Sequence, residues 1–356
     1  MNAVIEEDFE NIKGTFSSIL KKMEGKSILI TGACGMITSY LSELLIYLSN
    51  EYNLKVYLQC RNILKGKKLY GEWLDYENVV LLDFDFENNE MPECNPDYVI
   101  HAASPASTKA FYDTPVSVIS PNMVGTWNIL NWLKNKKVEK FLFFSSNSIY
   151  GEGGISKRTL CEEDYGIVNP LNDRACYIES KRIAEQMCRA FWKQYGIPTS
   201  IIRICHTYGP TFDISNDSRI IPRVIKKIIE GRDVEIYRDP NSIIQYTYVA
   251  DMITAILVVL VDGKAGEAYN AGSDELVKMD DAIKWMINAD SRIKSKLIEK
   301  EIDNNYCFKK GQGINLIKVS SNKLQMLGWK TLYTNKQGFT RTVKKYMGEV
   351  FASENE

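Results

Sequence analysis

Several classes of protein need residues that this sequence has little of. It contains two histidines, and none of its eight cysteines forms a Cys-x-x-Cys pair, so we expect neither a metal site nor a disulfide framework. A formal net charge of -1 leaves no basic excess for nucleic acid. The sequence shows neither an apolar run near the roughly 20 residues that span a bilayer nor a signal-peptide pattern. We therefore expect a cytoplasmic protein with free thiols, no membrane and no nucleic-acid partner.

Apolar residues are arranged in two successive patterns along the 356 residues. Over residues 5–23 they recur every three or four positions, which predicts an amphipathic helix. Short β-branched runs then alternate with helical stretches, which predicts a Rossmann-type α/β fold, a doubly wound parallel sheet covered on both faces. The predicted strands are 27–31, 56–60, 79–84, 98–103, 141–145 and 199–204.

The same patterns suggest a division of the chain. Residues 1–25 form the N-terminal helix, and residues 26–205 form the dinucleotide-binding domain. After that the alternation of strands and helices loosens, so residues 206–356 are predicted to be mainly a smaller C-terminal α/β lobe for substrate. Two lobes that share a cleft suit a chain of this length.

A glycine-containing turn follows the first predicted strand. Glycines there let the backbone approach a diphosphate, which binds the free N-H groups at the start of the next helix. An ordinary tight turn is the alternative, and Thr38 stands where a third glycine usually permits close helix packing. The residues expected to bind cofactor here are Gly32, Cys34, Gly35, Met36 and Ile37.

The second predicted strand ends without the carboxylate that NAD-binding folds usually offer to the adenosine ribose. Arg61 and Asn62 stand there instead, with lysines close behind. Because a guanidinium binds a 2'-phosphate in a bidentate way, NADP(H) is favoured. If these cations are only a solvated face, the cofactor is NAD(H). After the third strand, Asp83 or Asp85 either contacts the adenine or caps a loop.

Tyr177 and Lys181 are four residues apart and therefore share one face of a helix. A nearby ammonium lowers the pKa of a phenol, so Tyr177 can exchange a proton with a substrate hydroxyl while a nicotinamide exchanges hydride. Ser146, at the end of a buried strand, can polarise the same oxygen. We predict Ser146, Tyr177 and Lys181 to be the catalytic residues.

Further motifs stand in a characteristic order along the chain. They are Asn122 with Gly125 and Thr126, Tyr150-Gly151, Arg203 with Gly209-Pro210, Tyr248-Val249-Ala250-Asp251 and Tyr269-Asn270-Ala271-Gly272. Together with the glycine turn and the Tyr-Lys pair, they resemble the nucleotide-sugar epimerase, dehydratase and decarboxylase branch of the extended short-chain dehydrogenases/reductases. The similarity spans residues 26 to 347. It is greatest to UDP-glucuronate decarboxylases, through residues 101–107, Asn169-Pro170 and residues 174–177.

The resemblance implies that the N-terminal lobe holds the cofactor and the C-terminal lobe a nucleotide-activated sugar. It also implies a homodimer that pairs through helices like the one carrying Tyr177, and a role in making sugars for cell-surface polysaccharides. Further cofactor contacts are expected at Phe86, Ala102, Ala103, Ser104, Asn122, Ser145, Tyr177, Lys181 and Ile204. Substrate contacts are expected at Ser107, Ser146, Asn147, Ser148 and Arg174.

The departures from the family pattern bear on the reaction. Such decarboxylases carry an acidic residue two positions after the catalytic hydroxyl, and 4,6-dehydratases carry Asp-Glu directly after it, whereas this chain has Asn147 and Ser148. Neither side chain can remove a carbon-bound proton as a carboxylate can. A ketoreductase or an epimerase is therefore favoured. A decarboxylase-like or dehydratase-like enzyme and a non-catalytic dinucleotide-binding sensor or scaffold are the alternatives.

Two more departures concern the substrate lobe. His206 replaces the family's Asn and is either a ligand contact or a structural histidine. Ile244 replaces the arginine that usually holds the diphosphate. Candidates for the lost cation are Arg219, Arg223 and Arg238. The alternative for each is a solvated or salt-bridged side chain.

Overall fold

The computed structural model describes residues 1–151, 159–217, 219–237, 243–300 and 318–353. In chain order the strands are β1 (Ser27–Thr31), β2 (Lys55–Gln59), β3 (Val79–Leu82), β4 (Tyr98–His101), β5 (Lys140–Ser146), β6 (Thr159–Leu160), β7 (Thr199–Ile204), β8 (His206–Tyr208), β9 (Val234–Tyr237), β10 (Ile243–Ile244), β11 (Tyr246–Tyr248), β12 (Glu267–Ala271), β13 (Val277–Lys278), β14 (Leu297–Lys300) and β15 (Lys318–Val319).

The α-helices are α1 (Ala3–Thr15), α2 (Ser17–Lys22), α3 (Met36–Tyr47), α4 (Ile63–Tyr70), α5 (Thr108–Asp113), α6 (Pro115–Ser120), α7 (Thr126–Leu133), α8 (Ala175–Tyr195), α9 (Ile220–Ile229), α10 (Val249–Asp262), α11 (Met279–Ile287), α12 (Asn322–Gln325) and α13 (Asn335–Ser353). Short 3-10 helices span Gly71–Trp73, Phe86–Asn88 and Asn147–Tyr150, and a π-helix spans Pro121–Gly125. Within the described ranges, no helix is long and apolar enough to cross a membrane.

Seven parallel strands form the central sheet, in the order β3-β2-β1-β4-β5-β7-β12. This is the doubly wound, Rossmann-type arrangement, so the predicted fold class is confirmed. The six predicted strands are all present, with ends shifted by at most two residues. The seventh, β12, comes from the C-terminal part of the chain. The central sheet therefore contains strands from both sides of the predicted domain boundary at 205/206.

Both faces of the sheet are covered, as alternating side chains along β1 show. Ile28 and Ile30 join the larger buried cluster with Phe9 and Leu44, whereas Leu29 joins the second cluster on the opposite face. The helices α1, α3 and α10 contribute to the first cluster, and α7 and α8 contribute to the second. The predicted strands read as continuous apolar runs because they are buried on both faces of the sheet.

The N-terminal segment differs from its prediction in one respect. It forms two helices, α1 and α2, which separate at Phe16, where the backbone leaves the helical region at φ -111° and ψ 25°. Phe9 and Ile12 are fully buried on α1, and α1 lies against α13 and α10. This segment therefore packs on the chain's own domain.

Short two-stranded pairs make up the rest of the C-terminal part. β8 pairs in parallel with β11, β9 with β14 and β6 with β15, while β10 and β13 are antiparallel. Helices α9, α11 and α13 contact one another and these short strands. Because β8 continues the chain after β7, it begins this part at the carboxyl edge of the central sheet.

Candidate active site

The turn after β1 is shaped for close contacts. Gly32 has a φ of +67°, and a Cβ atom there would lie 2.8 Å from the Cα of Ala103, so only glycine suits the position. Thr38 donates hydrogen bonds to the carbonyls of Gly32 at 2.6 Å and Gly35 at 3.2 Å. Thr38 thus closes the turn by hydrogen bonding where a third glycine would allow close packing.

The same turn leads into an open helix start. No side chain in the described part of the chain caps α3, whose first residues are Met36 and Ile37. Their backbone N-H groups can therefore bind an anion, which the positive end of the helix also favours. The predicted turn residues fit a dinucleotide diphosphate. Cys34 lies half-buried beside them.

Cations lie near the end of β2, as the sequence predicts. Arg61 is exposed, and the Lys65 ammonium lies 3.3 Å from the carbonyl oxygen of Cys34 in the turn. Asn62 was predicted to contact the cofactor, and its side chain accepts a hydrogen bond from the Lys65 backbone N-H at 3.0 Å. Asn62 therefore caps α4 in this structure.

Asp83 and Asp85, which follow β3, were each expected either to contact the adenine or to cap a loop, and the structure decides this for one of them. Asp85 accepts hydrogen bonds from the backbone N-H of Glu87 at 2.9 Å and from the side chain of Asn88 at 2.7 Å, so it is a loop cap. Asp83 is exposed. Phe86 is buried, and its ring meets the His101 ring edge-on with centroids 5.4 Å apart. A cofactor contact at these positions stays a prediction.

A buried pair at the ends of β1 and β4 orders the next loop. His101 Nδ1 lies 2.8 Å from Thr31 Oγ1, which accepts hydrogen bonds from the backbone N-H groups of Ala102 and Ala103. Burial lowers the pKa of His101 to about 3, so its ring is neutral. Thr31 therefore donates to His101 and holds the loop against Gly32. Ser104 and Ser107 follow in that loop, and Ser107 caps α5.

The three predicted catalytic residues come together where β5 meets α8. Ser146 ends β5, and its hydroxyl lies close enough to the Tyr177 phenol to lower the pKa of that group. Lys181 donates to the Phe144 carbonyl at 2.6 Å, and its ammonium lies 5.8 Å from the centre of the Tyr177 ring. Tyr177 also stacks on Phe111, with ring centres 4.9 Å apart. These contacts fix the orientation of the phenol.

The sequence analysis expected the Lys181 ammonium to lower the pKa of Tyr177, and in this structure that expectation is wrong. Burial raises the pKa of Tyr177, and the neighbouring Ser146 hydroxyl offsets this only in part. Burial also lowers the pKa of Lys181 to about 7, against the opposing effect of Glu185. Part of the Lys181 population is therefore neutral at pH 7. The side chain also donates its hydrogen bond to the Phe144 carbonyl. Both effects weaken the influence of Lys181 on the Tyr177 phenol.

Sequence reasoning missed Glu185, although it follows Lys181 by one helical turn. It accepts a hydrogen bond from Ser145 at 2.5 Å and binds Arg203 through both carboxylate oxygens at 3.0 and 2.8 Å. Ser145, predicted as a cofactor contact, is therefore part of the attachment of α8 to β5. The four-residue spacing from Lys181 was the available signal.

Asn122 and Ile204 complete the expected cofactor contacts. The Asn122 side chain donates to the Val118 carbonyl and to Ser180 on α8, at 2.9 and 3.0 Å. Its Oδ1 is buried and has no hydrogen-bond partner among the described residues. It can accept a bond from a ligand or a water. Ile204 ends β7 and is half-buried.

The short 3-10 helix directly after Ser146, Asn147–Tyr150, has no acidic side chain. Asn147 and Ser148 begin the short 3-10 helix, and the Ser148 backbone N-H donates to Ser146 Oγ at 3.1 Å. Both residues stand beside the Ser146 hydroxyl, and their contact with a substrate stays a prediction. In the structurally described ranges, no group of three or more His, Cys, Asp or Glu residues could hold a metal ion.

Two of the predicted substrate cations, Arg174 and Arg219, lie near enough to His206 for their charges to act on it. The side chain of His206 is exposed, yet the protein atoms packed around it lower its pKa, and the charges of Arg174 and Arg219 lower it further. Arg219 forms an ion pair with Asp217. Arg223 is exposed on α9. Ile244 is buried in β10. Arg238 lies outside the described residues.

Comparisons with known proteins identify a family and a curated relative. A family model described as the NAD dependent epimerase/dehydratase family matches residues 28–272. UDP-glucuronic acid decarboxylase 1 of Xenopus tropicalis is 28% identical over an alignment that covers 98% of this chain and 80% of that protein.

Solved structures share the fold. The UDP-glucuronic acid 4-epimerase of Bacillus cereus, in complex with UDP-glucuronic acid and NAD, has a TM-score of 0.72 and 21% identity, and the match covers 90% of this chain and 99% of that one. RMD of Pseudomonas aeruginosa, complexed with NADPH, has a TM-score of 0.67 and 22% identity, with coverage of 91% and 99%.

Proposed function

Since the chain belongs to the NAD dependent epimerase/dehydratase family, we propose that it transfers hydride at one carbinol or ketone carbon of a nucleotide-activated sugar. The reaction is that of a ketoreductase or an epimerase. The observation that carries this proposal is the assembly of Ser146, Tyr177 and Lys181 at the carboxyl edge of the sheet, the edge at which the turn at Gly32 also follows β1. By family analogy, the product is a sugar for cell-surface polysaccharide.

The chain's own groups have distinct tasks in this reaction. A bound nicotinamide supplies or accepts the hydride. Ser146 Oγ and the Tyr177 hydroxyl bind the substrate oxygen, and Tyr177 gives a proton to a ketone or takes one from an alcohol. In its protonated form Lys181 places positive charge near that phenol, and Phe111 keeps the ring in place.

The similarity to UDP-glucuronic acid decarboxylase 1 favours a decarboxylase-like reaction as a second candidate. Decarboxylation and dehydration need an additional group that moves a carbon-bound proton. Asn147 and Ser148, which follow the catalytic hydroxyl, do not supply it. The intact catalytic set also argues against a non-catalytic sensor or scaffold.

The fate of the cofactor distinguishes the two favoured reactions. With a panel of nucleotide-linked keto sugars, a reductase consumes one NADPH for each product formed. With nucleotide sugars, an epimerase converts substrate without net change in nicotinamide absorbance. If neither activity appears and mass spectrometry finds no sugar nucleotide co-purified with the protein, the proposal is wrong.

NADP(H) is the proposed cofactor. Arg61 is exposed at the end of β2, the Lys65 ammonium lies beside the turn, and β2 itself ends in the uncharged Gln59. We expect Arg61→Ala to raise the Kd of NADPH about tenfold or more, because a charge-assisted hydrogen bond is lost, and to leave the Kd of NADH nearly unchanged.

Fluorescence titration of both reduced dinucleotides measures this effect. Lys68→Ala is the matched control, since Lys68 is an exposed cation farther along α4. NADPH affinity that survives in Arg61→Ala would assign the site to NAD(H).

Arg174 and Arg219 are proposed to bind the diphosphate of the sugar nucleotide. Their charges reach His206 and lower its pKa, which supports a shared cationic site. A diphosphate needs such partners because charge-assisted hydrogen bonds dominate its recognition. Contacts by Arg223 and Arg238 stay predictions.

A homodimer is proposed through the face formed by α6, the π-helix, α7 and α8. These helices contact one another, and large apolar side chains remain exposed on them: Val116 (74%), Val124 (45%), Trp127 (51%) and Ile183 (38%). Burying such side chains against a second copy removes them from water.

A cytoplasmic location is also proposed, since the cysteines in the described ranges are free thiols.

A further inference from the structure

Two cysteines that are 26 residues apart in sequence meet at the cofactor turn. The Sγ atoms of Cys34 and Cys60 lie 3.0 Å apart. Backbone pairing sets this arrangement, because Thr31 pairs with Gln59 across β1 and β2, and the Ala33 N-H donates to the Gln59 carbonyl at 3.0 Å. The contact therefore follows from the sheet itself.

The two thiols differ in accessibility and acidity. Cys34 is half-buried, whereas Cys60 is only 2% exposed. The hydrogen bond between the two thiols and the charge of Lys65 lower the pKa of Cys34, while the contact with Cys34 and burial raise the pKa of Cys60. An accessible, acidified thiol beside a second thiol is the arrangement of redox-sensitive cysteine pairs.

We propose that Cys34 and Cys60 are a modification site, at which hydrogen peroxide forms a reversible disulfide that weakens dinucleotide binding. The effect on binding rests on the proposed function, because it requires that the turn hold the cofactor diphosphate. The formation of the disulfide does not.

The disulfide forms from the two thiols and one hydrogen peroxide in two steps. The Cys34 thiolate attacks one oxygen of hydrogen peroxide, the O-O bond breaks, and Cys34 becomes a sulfenic acid as hydroxide leaves and takes a proton to form water. Cys60 then attacks the Cys34 sulfur, the S-O bond breaks, and a second water leaves with the Cys60 proton. Two thiols lose two electrons to one peroxide. An added dithiol reverses the change by thiol-disulfide exchange.

The turn has to move when the bond forms. A disulfide requires a sulfur separation of about 2.05 Å, roughly 1 Å less than the thiols have. Cys60 lies under α4, where a Cβ atom on Gly66 would be 3.1 Å from its sulfur, so the strand side has little freedom. Cys34 is therefore drawn toward β2. Loss of one charge-assisted hydrogen bond between the turn and the diphosphate raises Kd roughly tenfold.

Peroxide treatment of the purified full-length chain tests the site. After a small molar excess of hydrogen peroxide, we expect the loss of two titratable thiols and a Cys34–Cys60 cross-linked peptide in a non-reducing mass-spectrometric map. The Kd of NADPH should rise about tenfold and return after dithiothreitol. Cys161→Ser, which changes a half-buried thiol of another segment, should form the same cross-link.

Cys60→Ala should leave Cys34 as a sulfenic or further oxidised acid without the cross-link. A map in which Cys34 pairs with another cysteine, or stays reduced beside Cys60, overturns the site, and the wild-type map decides this even if the variant does not fold. An unchanged Kd in the cross-linked chain overturns the effect on binding. If the reduced chain binds neither NADPH nor NADH, the proposed function fails and the effect on binding with it, while the map still decides whether the disulfide forms.

Discussion

Tyr177→Phe is expected to lower kcat/KM by about 10²- to 10⁴-fold, the usual contribution of a positioned proton donor or acceptor. The substitution keeps the aromatic ring and therefore its stacking on Phe111. It removes only the hydroxyl that lies near Ser146 and is proposed to exchange the proton. NADPH binding should change far less than turnover. The initial rate with the active substrate and the Kd from fluorescence titration measure the two effects separately.

Tyr195→Phe is the matched control. Tyr195 is the last residue of the same helix, α8, and is 48% exposed. Its substitution should leave the rate unchanged because its ring, which the Lys134 ammonium approaches at 4.8 Å, is kept. A Tyr177→Phe enzyme as active as the wild type would show that this hydroxyl does not carry the proton.

Asp8→Ala is expected to cost about 3–5 kcal/mol of stability, the range for removing one partner of a buried ion pair. Asp8 is fully buried on α1 and accepts hydrogen bonds from the hydroxyls of Tyr40 and Tyr248, both at 2.6 Å. It also lies 2.7 Å from the guanidinium of Arg341 on α13. The substitution leaves the two buried tyrosine hydroxyls without their shared acceptor and removes one partner of the half-buried Arg341. The midpoint of urea unfolding should fall accordingly.

Glu7→Ala provides the comparison within the same helix. Glu7 also pairs with Arg341, at 3.0 Å, but its side chain is 63% exposed. We expect its loss to cost no more than about 1 kcal/mol, because water screens exposed ion pairs. Equal effects of the two substitutions would mean that burial at Asp8 adds nothing to the attachment of α1.

Local patterns were sufficient for most of the fold. The strands were predictable because each has an apolar run bounded by turn residues, and that pattern needs only neighbouring residues. The seventh strand, β12, was assigned to the substrate lobe, since nothing in its own residues shows that it pairs with β7. The division of α1 from α2 at Phe16 was missed because the apolar period continues across it.

The site was predictable to the extent that its residues form motifs. Spacing placed Tyr177 and Lys181 on one helix face. The direction of the Tyr177 pKa was predicted wrongly, because burial acts on both side chains and no spacing reports burial. Asp85 and Asn62 were candidate cofactor contacts, and only the structure shows that both cap backbone N-H groups.

The sequence by itself determined the strand-helix alternation, the glycine turn, the Tyr-Lys pair and the missing carboxylates at Asn147 and Ser148, because each is a property of adjacent or helically spaced residues. Only the tertiary structure decided which distant side chains touch. The pairing of β1 with β2 brings Cys34 to Cys60, and the packing of α1 brings Asp8 to Arg341. Such contacts depend on strand register and helix packing, in which the whole core takes part.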